Sequence, residues 1–203
     1  MIDFLKSLVA SPVRTISALV RLPSAANNRA RWMDASELRS DWDERTIQIA
    51  GRLPANASVL EFGAGNRVLE AHLPAGARYR PSDIVSRGPD TIVCDLNVEL
   101  PHLTERYTDI VFSGVLEYLQ DLPAVLRHLA PHTDRVIASY ATTDLLKDWV
   151  TRRESGWLNH YSEAELDALF RASGYRQLSR ETWQGQVICC YTTVATDDPP
   201  GVS

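Results

Sequence analysis

The sequence predicts an α/β protein built on a doubly wound sheet that closes with an antiparallel pair, and three observations carry that prediction. Beyond Asp41, short β-prone runs alternate with stretches of helical periodicity, the rhythm of βαβ units. The first of those runs enters a glycine-rich turn and then returns at once to a helical pattern, as at the opening of a parallel sheet. The last two β-rich runs are separated only by Trp183-Gln184-Gly185, which is hairpin spacing.

The elements follow in order. The first 31 residues stand apart: Lys6, Arg14, Arg21, Arg29 and Arg31 face the single acid Asp3, so the segment carries a net +4 and the remainder −9. Ile2, Leu5, Val9, Val13, Ile16 and Val20 recur at helical spacing, and Ser11-Pro12 is placed to end one short helix and start another. A basic amphipathic segment of this kind caps the domain or lies on an anionic membrane or a partner. Asp3 and Lys6 interrupt it too early for a signal peptide. The stretch 22–31 reads as a linker, residues 32–196 as the main domain, and 197–203 as a loose tail.

Asp41 and Glu44 are positioned to cap a helix whose one face carries Trp42, Thr46, Ile49, Ala50 and Leu53, with Pro54 as its stop. A strand over Ser58–Phe62 leads into Gly63-Ala64-Gly65, and the pattern from Val68 to Leu73 is helical. Further strands are expected at 78–83, 91–95, 109–113 and 135–140. Asp121-Leu122-Pro123 opens a helix running to Ala130, because proline is tolerated in a first turn. A short helix is expected over 144–150. Ser162 and Glu165 have capping-box spacing, for a helix that ends at Gly174. The runs 175–182 and 186–194 form the closing hairpin.

Composition excludes several functions. The chain is 44% apolar and 23% charged, enough for a core, and its net charge of −5 argues against a general nucleic-acid binder. No apolar run approaches the roughly 18 residues of a membrane span. Cys94, Cys189 and Cys190 show no metal-ligand or disulfide framework, which fits reduced thiols in a cytoplasmic protein. Cys189 and Cys190 are adjacent on a strand and should pack on opposite faces. His72, His102, His128 and His132 have no metal-ligand spacing.

Chemistry is expected at the first strand–turn–helix, which reads Val59-Leu60-Glu61-Phe62-Gly63-Ala64-Gly65-Asn66-Arg67. A dinucleotide fingerprint would need a third glycine at position 68, which is Val68, and no phosphate-loop lysine follows. That leaves a nicotinamide oxidoreductase disfavoured. A nucleoside bearing an amino acid suits the residues better. Glu61 precedes the turn, where a carboxylate meets an ammonium. Asp83 ends the next strand, where it can accept both ribose hydroxyls, and Asp95 ends the one after, within reach of an adenine amino group.

The segments VLEFGAGNR (59–67), SDI (82–84), CDLN (94–97) and VFSGVLEYLQDLP (111–123) together resemble the successive motifs of class I S-adenosylmethionine-dependent methyltransferases, a likeness spanning 41–194. The resemblance implies a seven-stranded Rossmann-like methyltransferase fold with an antiparallel last strand and S-adenosyl-L-methionine as cofactor. It further implies Glu61, Gly63 and Gly65 around the methionine moiety, Asp83 at the ribose, Asp95 at adenine and Leu96 against the purine. Ser113 and Glu117 would follow strand four beside the cofactor. The family's frequent third glycine is Arg67 here, a departure that bears on cofactor binding.

Acceptor contacts are expected from 140–161, a connection long enough to form a lid. Within it His160 is the candidate catalytic base, since an imidazole can take a proton from a hydroxyl. Arg152 and Arg153 are candidates for an anionic substrate. The expected function is methyl transfer to a small-molecule or glycan-like acceptor, O-directed on the strength of His160. The alternative is a non-catalytic binding protein on the same fold, docked on a membrane or an assembly through its N-terminus.

Overall fold

A computed structural model describes residues 23–194 of the chain. The apolar repeat over 2–20 and the tail at 197–203 therefore lie outside the described residues. The elements are α1 (Ala25–Met33), α2 (Asp43–Ala50), β1 (Ser58–Phe62), α3 (Val68–Ala71), β2 (Arg78–Asp83), β3 (Ile92–Val93), β4 (Tyr107–Phe112), α4 (Leu122–Leu129), β5 (Thr133–Tyr140), α5 (Trp149–Glu154), α6 (Glu163–Ala172), β6 (Tyr175–Trp183) and β7 (Gln186–Thr193).

The strands form one seven-stranded sheet in the order β3-β2-β1-β4-β5-β7-β6. The first five run parallel, and β7 is antiparallel to both β5 and β6. This is the doubly wound sheet with a closing hairpin that the sequence predicts. The strand order reverses between β1 and β4, where open α/β sheets hold their ligands.

Alternation along the central strands divides the interior into two layers. Val59, Val111, Ile137 and Ile188 face one side, against Ile49, Leu53 and Leu69. Leu60, Ile110, Phe112 and Val136 face the other, against α4 and α6. Every residue of β1 is buried, as expected of a parallel strand covered on both faces. Helix α4 buries Leu122, Val125, Leu126 and Leu129, a full apolar stripe, and Asp121 caps it by accepting from Ala124 N–H. The predicted capping box at Ser162 and Glu165 forms. Cys189 and Cys190 fall into opposite core layers, and all three thiols are free.

Four expectations are corrected. The linker over 22–31 is instead mostly helix α1, which crosses the expected boundary at residue 32. Ser24 caps it, Asn28 donates to the Gly156 carbonyl at 2.7 Å and Arg31 to that of Ser155 at 3.1 Å. Tertiary hydrogen bonds hold a helix too polar to be seen in an apolar pattern. Asp41 and Glu44 do not cap α2. Asp41 pairs with Arg39 at 2.8 Å, and the α2 start follows a 3-10 turn with no side-chain cap. The expected strand at 91–95 shortens to two residues at the sheet edge. The helix expected at 144–150 forms later, as α5, because Asp148 accepts from Val150 N–H and sets its start. Among the described residues no helix is long and apolar enough to cross a membrane, and no cluster of metal-ligating side chains occurs.

Candidate active site

The carboxyl ends of β1, β2 and β4 and the loop after β3 open into one cleft of about 1140 Å³, part of it open to solvent. Its floor includes Glu61, Gly63, Gly65, Asp83, Asp95, Leu96 and Ser113. Seven of the eight predicted cofactor residues are thus brought together. Helix α1 and the turns before α2 roof the cleft with Trp32, Leu38 and Trp42.

The turn after β1 departs from ordinary backbone at three positions. Gly63 and Gly65 have φ of +72° and +51°, and Arg67 has +58°. A Cβ on Gly63 would also fall 2.5 Å from Val115 Cγ2, so both conformation and space require glycine there. Arg67 occupies the position where the family often has its third glycine, and its left-handed backbone explains why glycine is favoured. The side chain turns outward, to Glu70 at 2.7 Å and Asp90 at 2.8 Å, and does not line the cleft. The departure therefore leaves the binding surface open.

The three acids of the floor are handled differently. Glu61 is buried and accepts from the Tyr79 hydroxyl. Burial pushes its carboxyl up to about 8; the Tyr79 hydrogen bond opposes this and the nearby Asp83 charge adds to it. Asp83 accepts from Gly65 N–H at 2.9 Å and lies 3.3 Å from Arg87 Nε, so the strand end is tied to the glycine turn. Asp95 accepts from Asn97 N–H at 3.0 Å and pairs with Arg29 of α1 at 3.3 Å. Arg87 in turn donates to the Trp32 carbonyl at 2.6 Å, a second tie between floor and roof.

Ser113 shares a 2.7 Å hydrogen bond with Thr46 and accepts from Arg45 Nε at 3.3 Å. Arg45 is a residue the sequence reading missed. It is buried, lines the cleft and donates to the Ser113 carbonyl and Gln186, with no carboxylate at ion-pair distance among the described residues. Burial lowers its pKa, partly opposed by the Glu117 charge. A side chain at Gly114 would collide with this guanidinium at 2.5 Å. The signal was available: positions 45 and 49 are one turn apart, which puts Arg45 on the buried face with Ile49. Arg29 and Trp32 gave no such signal, because the helix that brings them over the cleft has no apolar pattern, and Arg87 lies in the loop between β2 and β3, which has no periodicity to read.

Glu117 and His160 are not brought to the cleft. Glu117 lies behind it, buried, and accepts from Ala141 N–H at 2.8 Å; its carboxyl is pushed up by burial. It positions the turn at Leu116–Tyr118 and does not face the cavity. His160 packs on Trp149, ring centroids 4.6 Å apart, and its Nδ1 accepts from Arg152 Nε at 3.1 Å. Burial, with the Arg152 and Arg153 charges, lowers it to about 4. Its free lone pair is engaged and its affinity for a proton is reduced, the opposite of what a general base needs. Arg152 is itself buried, donating to the Ala141 carbonyl at 2.7 Å, and so holds the segment at 140–161 in place.

Comparison with known proteins agrees with this geometry. Residues 33–180 match the family model described as a methyltransferase domain. No curated protein matches in sequence. Among solved structures, the chain resembles Burkholderia thailandensis 1,6-didemethyltoxoflavin-N1-methyltransferase with bound S-adenosylhomocysteine, at TM-score 0.63 and 16% identity over 91% of each chain. It also resembles mitomycin 7-O-methyltransferase, at TM-score 0.61 and 17% identity over 79% of this chain and 56% of that one. Magnesium protoporphyrin IX methyltransferase from Synechocystis PCC 6803 with bound SAM gives TM-score 0.53 and 18% identity, over 75% and 78%. With a methyltransferase-domain match across most of its length and that fold around the cleft, the chain belongs to the class I S-adenosylmethionine-dependent methyltransferase family.

Proposed function

We propose that this protein transfers a methyl group from S-adenosylmethionine to a small-molecule acceptor, with the cofactor lying along the floor of the cleft. The observation that carries the reading is the distribution of charge. Carboxyl groups at Glu61, Asp83 and Asp95 lie at the ends of β1 and β2 and in the loop after β3, and the buried cation Arg45 has no carboxylate at ion-pair distance among the described residues. An adenosyl amino acid presents the complement of that set. Glu61 suits its ammonium, Arg45 its carboxylate, Asp83 the ribose hydroxyls and Asp95 the adenine amino group, while Gly63 and Gly65 admit close backbone approach. Leu96 and Val115, which also line the cleft, supply apolar surface for the purine.

The cofactor supplies an electrophilic methyl on a sulfonium sulfur, which leaves as a neutral thioether. The protein aligns the nucleophile with that carbon and keeps water out; positioning of this kind contributes up to ~7–11 kcal/mol. The roof helix α1 serves both tasks, tied down by Arg29, Arg31 and Asn28. The cleft contributes no imidazole, so the ground for an oxygen acceptor is removed and the reading stops at a small molecule.

Titration calorimetry with S-adenosylmethionine and S-adenosylhomocysteine tests the cofactor reading. Saturable one-to-one binding that is lost in Gly65→Val supports it. No binding by the intact full-length protein overturns it. Transfer of labelled methyl across a panel of small acceptors then separates an enzyme from a binder on the same fold.

A further inference from the structure

The roof of the cleft differs from its floor. Where the floor is acidic and rich in backbone donors, the roof presents aromatic rings. Trp32 meets Trp42 edge-on at 5.8 Å and Tyr118 edge-on at 5.3 Å, and all three line the cavity with Leu38 and Leu119. The rings come from three separate segments, α1, the 3-10 turn at Ser40–Trp42 and the turn at Leu116–Tyr118. Arg31 packs on Trp32 at 4.6 Å from the ring centroid and donates to Ser155, so the indole is held from outside the cleft. Its Nε1–H is enclosed and has no hydrogen-bond partner among the described residues. A buried indole N–H ordinarily finds an acceptor, and leaving it unpaired is costly.

Resting on the methyltransferase reading above, we propose that Trp32, Trp42 and Tyr118 form the acceptor subsite. It takes a planar aromatic molecule, neutral or anionic, whose ring oxygen or nitrogen accepts the Trp32 Nε1 hydrogen. Three considerations select this class. Edge-to-face rings with aliphatic neighbours favour a flat aromatic guest over a flexible chain. A glycan-like acceptor would bring many hydroxyls against the Trp32, Trp42 and Tyr118 rings and the Leu38 and Leu119 side chains, where their desolvation would go uncompensated. Of the arginines that line the cleft, Arg29, Arg39 and Arg87 are paired with acids, whereas Arg45 has no carboxylate at ion-pair distance among the described residues, and its charge opposes a cationic acceptor. The subsite adjoins the end of β4 through Tyr118, beside Ser113 and Arg45, the end of the cleft assigned to the amino-acid moiety.

The test uses the full chain saturated with S-adenosylhomocysteine, with 8-hydroxyquinoline and 1-naphthol as planar probes and cyclohexanol as the aliphatic control. Binding is followed by calorimetry and by quenching of tryptophan fluorescence. The expected result is saturable binding of the planar probes and none of cyclohexanol. Trp32→Ala should weaken the probes by about tenfold or more, and Trp32→Phe, which keeps a ring but loses the N–H, by about fivefold for the probe with a ring nitrogen. S-adenosylhomocysteine affinity in Trp32→Phe should stay within about threefold, which shows that the variant is folded and the floor intact. Planar probes that bind no better than cyclohexanol, or equally well to all three proteins, overturn the proposal while leaving the cofactor reading standing. Failure of S-adenosylhomocysteine to bind the unmodified protein overturns the cofactor reading itself.

Discussion

Glu61 offers the sharpest measurement on the floor of the cleft. Its folded-state pKa of about 8 stands well above the ordinary 4.5, chiefly because burial disfavours the charged form. At pH 7 the carboxyl of the cofactor-free protein is therefore about 90% protonated. If the ammonium of the cofactor pairs with an ionised Glu61, binding at pH 7 must expel close to one proton from this group. Affinity should then rise about fivefold between pH 7 and pH 8 and level off above it. The same shift has a stability consequence of fixed sign. Between pH 4.5 and 8 the folded chain keeps a proton that the unfolded chain has lost, so stability falls as pH rises through that window. The limiting loss is about 5 kcal/mol. Glu61→Gln keeps the shape and can still accept from Tyr79, but carries no charge at any pH. Calorimetry in phosphate and Tris buffers reads the proton count, and urea midpoints at pH 6 and 8.5 read the stability. Proton release smaller in Glu61→Gln than in the parent, and a cofactor-free variant more stable than the parent at pH 8.5, are expected. Equal proton release and equal loss of stability in the two proteins would refute the assignment.

The other predictions concern the turn and its neighbours. Asp83→Ala should weaken cofactor binding by about 1–3 kcal/mol, the scale of losing hydrogen bonds to a charged group, and calorimetry showing unchanged affinity would remove Asp83 from the ribose. Gly63→Ala should destabilise the fold by at least ~1–2 kcal/mol, from its positive φ and its 2.5 Å approach to Val115, with partial recovery in Gly63→Ala/Val115→Ala on urea denaturation. Arg67→Gly relieves a left-handed φ and loses the surface ion pairs with Glu70 and Asp90 and the contact with the Tyr79 ring, so stability should change by no more than about 1 kcal/mol and cofactor affinity not at all. A marked loss of affinity would mean that the Arg67 side chain reaches the ligand.

The sheet was legible in the sequence because each strand repeats a local pattern. Ser58–Phe62 and Arg135–Tyr140 are apolar runs bounded by turn residues, and the Ser162–Glu165 capping box states its helix directly. The floor was legible for the same reason, since Glu61, Asp83 and Asp95 each sit where a β-prone run ends. The roof was not. Helix α1 is AANNRARWM, with only Asn28 buried, and it is held by hydrogen bonds to residues over 120 positions away. No local window contains that information. His160 misled for the complementary reason: its residue type suits a base, but its surroundings are set by Arg152 and Trp149 through the tertiary path of the 140–161 segment.

The acids of the floor also explain why the roof is basic. Three carboxylates at neighbouring strand ends repel one another, and a cleft of low polarity strengthens that repulsion. Each is relieved differently: Glu61 by keeping its proton, Asp83 by Arg87, Asp95 by Arg29. Two of these solutions involve the roof, because Arg29 belongs to α1 and Arg87 holds the Trp32 carbonyl. In the proposed binding mode, cofactor hydroxyl and amino groups at Asp83 and Asp95 share those carboxylates with the guanidiniums of Arg87 and Arg29 or displace them. Roof and floor are therefore coupled by charge as well as by contact. The helix that carries the Trp32 ring of the proposed acceptor subsite also carries Arg29, the cation paired with Asp95, so α1 joins the two halves of the cleft.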